Sequence, residues 1–382
     1  MNFEFSEEQL LLKEMIRDFA QKEISPHVRT LEDRHEFPRG ILQKLGELGI
    51  LGMSVPVEYG GTKTDNVSLA IAVEELGRVF PSLAVVVSVH CSLFCYAINR
   101  FGTEAQKSEY LGRAAAGQII GAFSLTEPGA GSDATSLSTK SVKKGDFYVL
   151  NGIKSWVTTG YDSGALILMT ASEASTVKKR MLNAFIIDKD TPGLSVSKIE
   201  EKMGLHASPT AEIVLENCRV PTANLLGEEG KGAAIAFQCL DSSRIGIAAQ
   251  AVGVAQRALE EGVKYAQQRE AFGRKIQGFQ AIQFMIADMS SQLEAARLLT
   301  YRAASLHDHG KPFGKEAAMA KLYASEAANR IASLSLQIHG GYGYSKEFFI
   351  EQLYRDARVL AIYEGTSEVQ RLVIARHLLR QE

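Results

Sequence analysis

The chain changes character at Ile119-Ile120-Gly121-Ala122-Phe123-Ser124-Leu125-Thr126-Glu127-Pro128-Gly129-Ala130-Gly131-Ser132-Asp133. Its first half is an apolar run of strand length, and its second half is a loop rich in glycine. Residues 1–118 before it have helical periodicity, whereas residues 119–228 hold short runs separated by turn residues. No helices alternate with these runs, so we expect an antiparallel sheet or barrel rather than a parallel α/β fold.

Short runs rich in apolar and β-branched residues predict the strands. They are residues 119–125, 139–143, 147–150, 153–158, 165–170, 184–187, 194–198 and 212–215. Lys144-Gly145-Asp146 and Asn151-Gly152 are predicted to be turns between them.

Helices are predicted on both sides of the strands. Ser6 with Gln9, and Thr103 with Gln106, match the capping-box pattern at helix starts. Residues 233–269, 279–309 and 315–339 are long, alanine-rich and periodic. With a further helix at the C-terminus they predict a four-helix bundle over residues 229–382. The expected domains are therefore 1–118, 119–228 and 229–382.

Composition excludes several classes of protein. The 382 residues include 42 basic and 44 acidic ones, so the charge is not that of a nucleic-acid-binding protein. The hydrophobic content of 46% is ordinary for a globular protein, and no apolar run approaches membrane-spanning length. The first residues lack the basic start and apolar block of a secretory signal, so we expect a cytoplasmic protein.

Sequence motifs exclude further chemistries. The cysteines lie at 91, 95, 218 and 239 without a close pair, so free buried thiols are expected. We find no metal-binding pattern and expect no metal site. A Walker A sequence, a G-x-G-x-x-G after a strand and a G-x-S-x-G elbow are all missing from the sequence. Phosphate-loop hydrolases, classical dinucleotide folds and serine hydrolases are therefore disfavoured.

Two segments of the strand region have residues suited to a ligand. In the loop of residues 125–133, Thr126, Ser132 and the glycine backbone could direct donors at an anion. Trp156 is the only tryptophan and is followed by two threonines, so it could form a flat wall beside hydroxyl donors. A plain turn and a core tryptophan are the more common explanations of these two features.

Two segments of the helical region also have residues suited to a ligand. Arg269 ends one predicted helix, and arginine suits phosphate because it can donate two hydrogen bonds at once. Residues 337–341 end another helix with two glycines, where His339 could be a ligand or a base. An ordinary helix end is the more common explanation of both segments.

A carboxylate stands before a glycine turn near the C-terminus, in Ile362-Tyr363-Glu364-Gly365-Thr366-Ser367. A general base in a dry pocket has this setting, because burial raises the pKa of a carboxylate toward the working pH. A surface carboxylate near a helix start explains the local pattern as well. Ser367 is predicted to cap the last helix, with Gln370 completing a capping box.

These segments occur in one order, and the chain resembles the acyl-CoA dehydrogenases, flavoproteins that introduce a double bond into an acyl-CoA thioester. The resemblance covers nearly the whole chain and rests on residues 125–133, 269–273, 337–341 and 362–366. It implies three regions, namely a helical domain, a β domain and a helical bundle. It also implies an FAD cofactor, a homotetramer built as a dimer of dimers, and an electron-transferring flavoprotein as acceptor.

The resemblance implies a role for each candidate residue. Glu364 would remove the α-proton, Gly365 would lie against the substrate, and Thr158 would lie near the flavin nitrogen that accepts hydride. Residues expected to contact FAD in the same subunit are Phe123, Leu125, Thr126, Gly131, Ser132, Trp156, Val157, Thr158, Thr366 and Glu368. Residues expected to hold the FAD of a neighbouring subunit are Arg269, Phe272, Gln280, Gln337, Gly340 and Gly341. Residues expected to contact CoA are Ser132, Asp241 and Arg244.

Two other functions stay open at this stage. One is a flavin oxidase that passes electrons to oxygen, and the other is a catalytically silent binding protein of the same fold. Some relatives carry their base at the position of Ser243, where a serine cannot take the proton, so Glu364 is expected to act alone. Residues 83–92 hold no arginine or lysine, and His90 is the only candidate partner there for an acyl carboxylate. We therefore expect an uncharged acyl group that is short, branched or alicyclic.

Overall fold

The computed structural model describes residues 4–176 and 180–379, and it confirms the order of helices, strands and helices. The first region contains α1 (Glu7–Phe19), α2 (Val28–Arg34), α3 (Arg39–Glu47), α4 (Asn66–Val79), α5 (Pro81–Val89), α6 (Tyr96–Phe101) and α7 (Glu104–Ala115). Both predicted capping boxes are present, because the Ser6 and Thr103 hydroxyls accept hydrogen bonds from the N3 backbone N–H groups.

The first region contains one long apolar helical segment. A π-helical segment, His90–Cys95, joins α5 to α6. Within the described residues, Pro81–Phe101 is long and apolar enough to cross a membrane, with a mean hydropathy of 1.8. The expectation that no run approaches this length is therefore wrong. Since 94% of the window is buried inside the protein, the segment has the character of a core helix.

The middle region is a curled sheet. Its strands are β1 (Gly121–Ser124), β2 (Lys140–Lys144), β3 (Phe147–Thr158), β4 (Ala165–Ser172), β5 (Leu182–Asp188), β6 (Leu194–Ile199) and β7 (Thr210–Pro221). The strand order is β1-β4-β2-β3-β7-β6, with β5 paired to β4.

The sheet is mixed, so the prediction of a wholly antiparallel sheet is wrong. Strand β4 lies between β1 and β2 and runs parallel to both, with Phe123 opposite Ile167 and Lys140 opposite Ala171. The other pairs are antiparallel. The cause is the long loop after β1, which carries the chain past the place that β4 later takes.

Strand β3 continues through Asn151-Gly152, where a turn was predicted. The register shifts between Leu150, opposite Cys218, and Gly152, opposite Leu215, so β7 contains one extra residue and forms a β-bulge there. A Cβ atom on Gly152 would lie 2.4 Å from Thr139 Oγ1, which explains the glycine. A second shift precedes Val157 and places Trp156 at a φ of 58°.

The last region contains α8 (Gly232–Gln268), a hairpin of β8 (Glu270–Ala271) and β9 (Arg274–Lys275), α9 (Gln280–Asp308), α10 (Gly314–His339), α11 (Phe349–Val359) and α12 (Ser367–Leu379). Helix α8 is central and packs against α4, α5, α9 and α10. A Cβ atom on Gly253 would lie 2.2 Å from Glu74 O, so α4 and α8 are in close backbone contact. The three long helices were predicted, whereas α11 was not.

Candidate active site

Glu364 lies in the turn between α11 and α12, in a backbone conformation that side chains rarely adopt. Its φ is 52°, and that of Gly365 is 92°. A non-glycine residue held at such a φ costs about 1–3 kcal/mol and persists only when its surroundings impose it. Gln370 Nε2 donates to Glu364 O at 3.1 Å and to Gly365 O at 2.8 Å. Lys321 Nζ also donates to Gly365 O, at 2.7 Å.

The predicted cap of α12 is wrong by one residue. The Thr366 hydroxyl accepts the hydrogen bond from Val369 N at 3.3 Å, so Thr366 and not Ser367 caps the helix. Gln370 points at the turn carbonyls instead of forming a capping box. Instead of bonding the backbone N–H of Ser367, the Gln370 amide donates to two carbonyl oxygens of the turn before the helix.

The Glu364 carboxylate faces α8 and is half-buried. Its Oε2 atom accepts a hydrogen bond from Ser243 Oγ at 2.8 Å. Burial raises the pKa of Glu364, while the Ser243 hydroxyl and the charges of Lys321 and Arg244 oppose that rise. The result is a partly exposed carboxylate that is more basic than usual.

Arg244 and Asp241, the predicted CoA contacts, lie beside this carboxylate on α8. They form an ion pair three residues apart, with a hydrogen bond from Arg244 Nη1 to Asp241 Oδ1. Burial lowers the pKa of Arg244 and raises that of Asp241. A Cβ atom on Gly314 would lie 2.9 Å from Asp241 Oδ2, so the start of α10 closely approaches the pair.

The structure brings together the two segments of the β domain that are predicted to contact the flavin, residues 125–133 and 156–158. Ser155 N donates to Thr126 O at 2.9 Å. Lys154 Nζ donates to Leu125 O at 3.0 Å and to Glu127 Oε1 at 2.8 Å. Strand β3 thus carries the segment 156–158 directly against the loop of residues 125–133. Of the other predicted contacts, Phe123 and Thr158 are half-buried, Val157 is buried, and Gly131 and Ser132 are exposed.

The surroundings of this segment suit a flavin. The Trp156 side chain is 58% exposed, so it is not a core residue and its flat ring is accessible to a ligand. The backbone at Gly129 and Gly131 faces open space. Within the described residues, the buried side-chain atoms without a hydrogen-bond partner include Ser124 Oγ at the end of β1 and Thr159 Oγ1 directly after β3. Such groups are costly unless a ligand or water satisfies them, and the polar edge of a flavin ring offers both donors and acceptors.

The second set of predicted FAD contacts lies on the bundle. Arg269, Gly340 and Gly341 line a cavity of about 610 Å³, and Arg269 lies 5.6 Å from the Tyr342 ring centre. All residues that line this cavity come from the last region of the chain, from Tyr265 to Glu347. The β-domain segments therefore contribute no residue to the lining of this cavity.

The other residues predicted to hold a neighbouring subunit's FAD, Phe272, Gln280 and Gln337, do not line this cavity. Phe272 is 95% exposed, at a φ of 52°, and contacts Phe279 edge to face. Gln280 begins α9, and Gln337 lies in the last turn of α10, both exposed. Thr366 and Glu368 line a separate cleft of about 530 Å³ together with residues of α10 and α11.

Sequence reasoning missed three partners of Glu364, namely the Ser243 hydroxyl as a donor, Lys321 and the Gln370 amide. A signal for Lys321 exists. It lies on the buried stripe of α10 with Ala317, Ala324 and Ala328, where a lysine is out of place. In residues 4–176 and 180–379, no three His, Cys, Asp or Glu side chains are arranged to hold a metal ion.

Comparisons with known proteins agree with this geometry. Family models of the acyl-CoA dehydrogenase N-terminal, middle and C-terminal domains match residues 6–118, 122–218 and 230–379. The probable acyl-CoA dehydrogenase YngJ of Bacillus subtilis is 47% identical over 380 residues, which is 100% of both chains. The mitochondrial short-chain specific acyl-CoA dehydrogenase of Mus musculus is 48% identical over 99% of this chain and 91% of its own.

Solved structures give the same result. Butyryl-CoA dehydrogenase from Megasphaera elsdenii has a TM-score of 0.97 at 41% identity, covering 100% of both chains. A chain from a structure described as the electron transferring flavoprotein of Acidaminococcus fermentans has a TM-score of 0.97 at 45% identity, again with 100% coverage of both. An acyl-CoA dehydrogenase complexed with FAD from Bacillus anthracis has a TM-score of 0.93 at 36% identity, covering 99% of this chain and 68% of its own. Domain matches, whole-length identity and fold together show that this chain belongs to the acyl-CoA dehydrogenases, a family of FAD-dependent oxidoreductases.

Proposed function

We propose that this protein oxidises an acyl-CoA thioester to the trans-2-enoyl-CoA and that Glu364 removes the α-proton. The observation that carries the proposal is a half-buried carboxylate whose pKa is raised by burial and whose turn is held by hydrogen bonds from Lys321 and Gln370. A desolvated carboxylate of this kind is a suitable general base for a weakly acidic C–H bond.

The chain's own residues prepare that proton transfer. Lys321 and Arg244 favour the ionised form of Glu364, so the carboxylate is ready to accept a proton. The Ser243 hydroxyl fixes one carboxylate oxygen at 2.8 Å and leaves the other oxygen for the substrate. FAD, when bound, supplies the oxidant that accepts the hydride from the β-carbon. Trp156 and the loop of residues 125–133 would hold its ring in place.

The region behind Glu364 limits the size of the acyl group. Helix α8 is buried without interruption from Ser242 to Ala255. Gln250 lies seven residues beyond Ser243, about 10 Å along the helix axis. Its side chain donates to Pro81 O at 2.9 Å and accepts a hydrogen bond from the Tyr363 hydroxyl. This hydrogen-bonded closure supports a substrate that is short, branched or alicyclic.

The charge of the same region supports an uncharged acyl group. Helix α5 and the segment His90–Cys95 are buried throughout and contain no lysine or arginine. His90 accepts a hydrogen bond from Gly121 N at 3.0 Å, and burial lowers its pKa to about 4. A neutral His90 cannot serve as the counter-ion of a dicarboxylic substrate. Burying a carboxylate there without a cation would cost several kcal/mol.

The decisive experiment is anaerobic flavin bleaching by butyryl-CoA in the wild type and in Glu364→Gln. We expect a loss of at least ~10³-fold in the rate of bleaching, because the amide keeps the size and hydrogen bonding of the base without its basicity. Bound FAD should be unchanged. Glu58→Gln, an exposed carboxylate in the first region, is the control and should bleach normally. Retention of a tenth of the wild-type rate in Glu364→Gln would refute the assignment.

The acyl preference has its own test. Butyryl-, isobutyryl-, cyclohexanoyl-, octanoyl- and glutaryl-CoA are compared by kcat/KM with a ferrocenium acceptor. We expect one of the uncharged, short, branched or alicyclic thioesters to be best. If glutaryl-CoA is the best of the five, the charge argument fails and His90 becomes the first residue to replace.

The electron acceptor is proposed to be an electron-transferring flavoprotein. The likeness to the Acidaminococcus fermentans structure supports this choice. Turnover with oxygen as sole acceptor, equal to turnover with that flavoprotein, would instead favour an oxidase. A colourless purified protein that takes up no FAD would favour a silent binding protein. Cytoplasmic location stays a prediction, which fractionation of cells tests.

A homotetramer is proposed as the assembly. The bundle exposes large aromatic side chains, with Phe272 at 95%, Phe284 at 65% and Tyr344 at 90% exposure. Large aromatic side chains exposed to this extent are candidates for burial by another subunit. Light scattering coupled to gel filtration should give four times the mass of one chain, and a monomer at micromolar concentration would contradict the proposal.

A further inference from the structure

Lys321 is an unusual residue in the middle of α10. Its side chain is fully buried, and among the described lysines only Lys154 is buried to the same extent. Burying an ammonium group is costly unless the charge is satisfied, so such a residue is normally retained for a purpose. Lys154 has a buried carboxylate partner at 2.8 Å. Lys321 instead donates to a backbone oxygen, that of Gly365, at 2.7 Å.

That backbone oxygen belongs to the turn that carries the proposed base. Gly365 O accepts hydrogen bonds from two side chains on two different helices, Lys321 of α10 and Gln370 of α12. Gln370 also donates to Glu364 O. The turn has two consecutive positive φ values and needs such outside support to persist.

On α10, Lys321 is the cation whose charge lowers the pKa of Glu364. Side chains that act on the Glu364 carboxylate from the packed elements are Cys239, Ser243 and Arg244 of α8, Lys321 of α10 and Tyr363 of the turn, while Gln370 of α12 contacts the backbone oxygen of Glu364. Charged groups that act on Lys321 itself are Glu364, Arg244, Glu368 and Glu326. Burial lowers the pKa of Lys321 to about 8, so it is largely protonated at neutral pH. Arg244 already has Asp241 as its ion-pair partner, whereas Lys321 has no ion pair within 4 Å in the described part of the chain.

We propose that Lys321 is a positioning residue with two tasks: its hydrogen bond to Gly365 O fixes the turn that aims Glu364, and its charge favours the ionised carboxylate. The inference rests on the proposed role of Glu364 as the base. Lys321 does not contact the reacting atoms and acts through Glu364.

The sign of the pH effect follows from the role of the base. Proton abstraction needs ionised Glu364, so the rate rises with pH through the pKa of this carboxyl. A neighbouring cation holds that pKa down. Removal of the cation therefore moves the acidic limb of the pH–rate profile to higher pH, an effect that a purely structural role would not produce.

The test compares Lys321→Met, Lys321→Arg and Gln370→Met as FAD-loaded enzymes, with the rate of anaerobic flavin bleaching measured from acid to alkaline pH. Lys321→Met should lower the rate at neutral pH about tenfold or more and move the acidic limb upward. Lys321→Arg keeps the charge and should leave the acidic limb near that of the wild type. Gln370→Met removes a support of the turn without removing a charge, so it should lower the rate without moving the limb.

Bound FAD, read from the visible spectrum, and thermal unfolding establish that each variant is folded. If Lys321→Met does not fold, Lys321→Gln replaces it, since it keeps a donor without the charge and should still move the limb. An unmoved acidic limb and a rate within twofold of the wild type would overturn the inference. Loss of bleaching in Glu364→Gln alongside that result leaves the proposed function standing, whereas retention of bleaching in Glu364→Gln refutes the proposed function itself.

Discussion

Replacement of Lys154 by methionine tests how the loop of residues 125–133 is held. The Lys154 and Glu127 side chains are 0% and 1% exposed and form an ion pair at 2.8 Å. Lys154 also donates to Leu125 O at 3.0 Å, and Glu127 accepts hydrogen bonds from Ser138 N at 2.6 Å and Thr139 N at 3.1 Å. The pair therefore connects β3 to the start of this loop and to Ser138 and Thr139, which directly precede β2.

The magnitude follows from what Lys154→Met leaves behind. Removing one partner of a buried pair costs about 3–5 kcal/mol, because the other charge stays buried without compensation. Glu127 keeps the two backbone donors of Ser138 and Thr139, so we expect about 3 kcal/mol, at the lower end. In Lys154→Met combined with Glu127→Gln the uncompensated charge is gone, so the double variant should be more stable than the single one.

The assay is thermal unfolding at fixed protein and FAD concentrations, followed by flavin fluorescence, since ligand and subunit concentration both affect the midpoint. The expected order of midpoints is wild type, then double variant, then Lys154→Met. Lys140→Met on the exposed face of β2 is the matched control and should unfold close to the wild type. A single variant within about 1 kcal/mol of the wild type, or a double variant less stable than the single one, would refute the reasoning.

Three further outcomes are expected. Ser243→Ala removes the hydrogen bond that lowers the pKa of Glu364, so the acidic limb of the pH–rate profile of flavin bleaching should move to higher pH. Gln250→Ala opens the closure behind the site and should raise kcat/KM for octanoyl-CoA relative to butyryl-CoA. Gly121→Ala would place a Cβ atom 1.9 Å from Phe94 Cγ, so the variant should be strongly destabilised in thermal unfolding, with partial recovery when Phe94→Ala is added.

Elements with local sequence signals were the predictable part of the fold. The alanine-rich stripes of α8, α9 and α10 gave three long helices, and Ser6 and Thr103 gave two capped starts. The position of β4 between β1 and β2 was not predictable, because strand pairing depends on contacts between residues distant in sequence. The same holds at Gly152, where pairing with β7 overrides the turn preference of Asn-Gly.

The candidate site divides along the same line. The glycine after Glu364 is a local signal that made this carboxylate a candidate, whereas its role as the base was implied by the resemblance to the acyl-CoA dehydrogenases. Its partners come from afar, with Ser243 separated from it by 121 residues and Lys321 from Gly365 by 44. The misplaced cap at Ser367 shows the limit of a local pattern, since Gln370 satisfies the capping-box sequence and yet bonds the turn.

The placement of the proposed base, Glu364, on a turn instead of inside a helix has a chemical consequence. A carboxylate that accepts two or three hydrogen bonds is held firmly but loses basicity, because each donor favours the ionised form. Here the bonds that orient Glu364 go largely to the carbonyl oxygens of residues 364 and 365, from Gln370 and Lys321. In the described part of the chain, the carboxylate itself accepts a hydrogen bond from Ser243 only. A helical residue could not be held this way, since its carbonyl is already paired within the helix. The hydrogen bonds to the turn carbonyls thus fix the orientation of Glu364 without lowering its proton affinity. Burial can therefore raise the pKa of the carboxylate while its orientation stays the same.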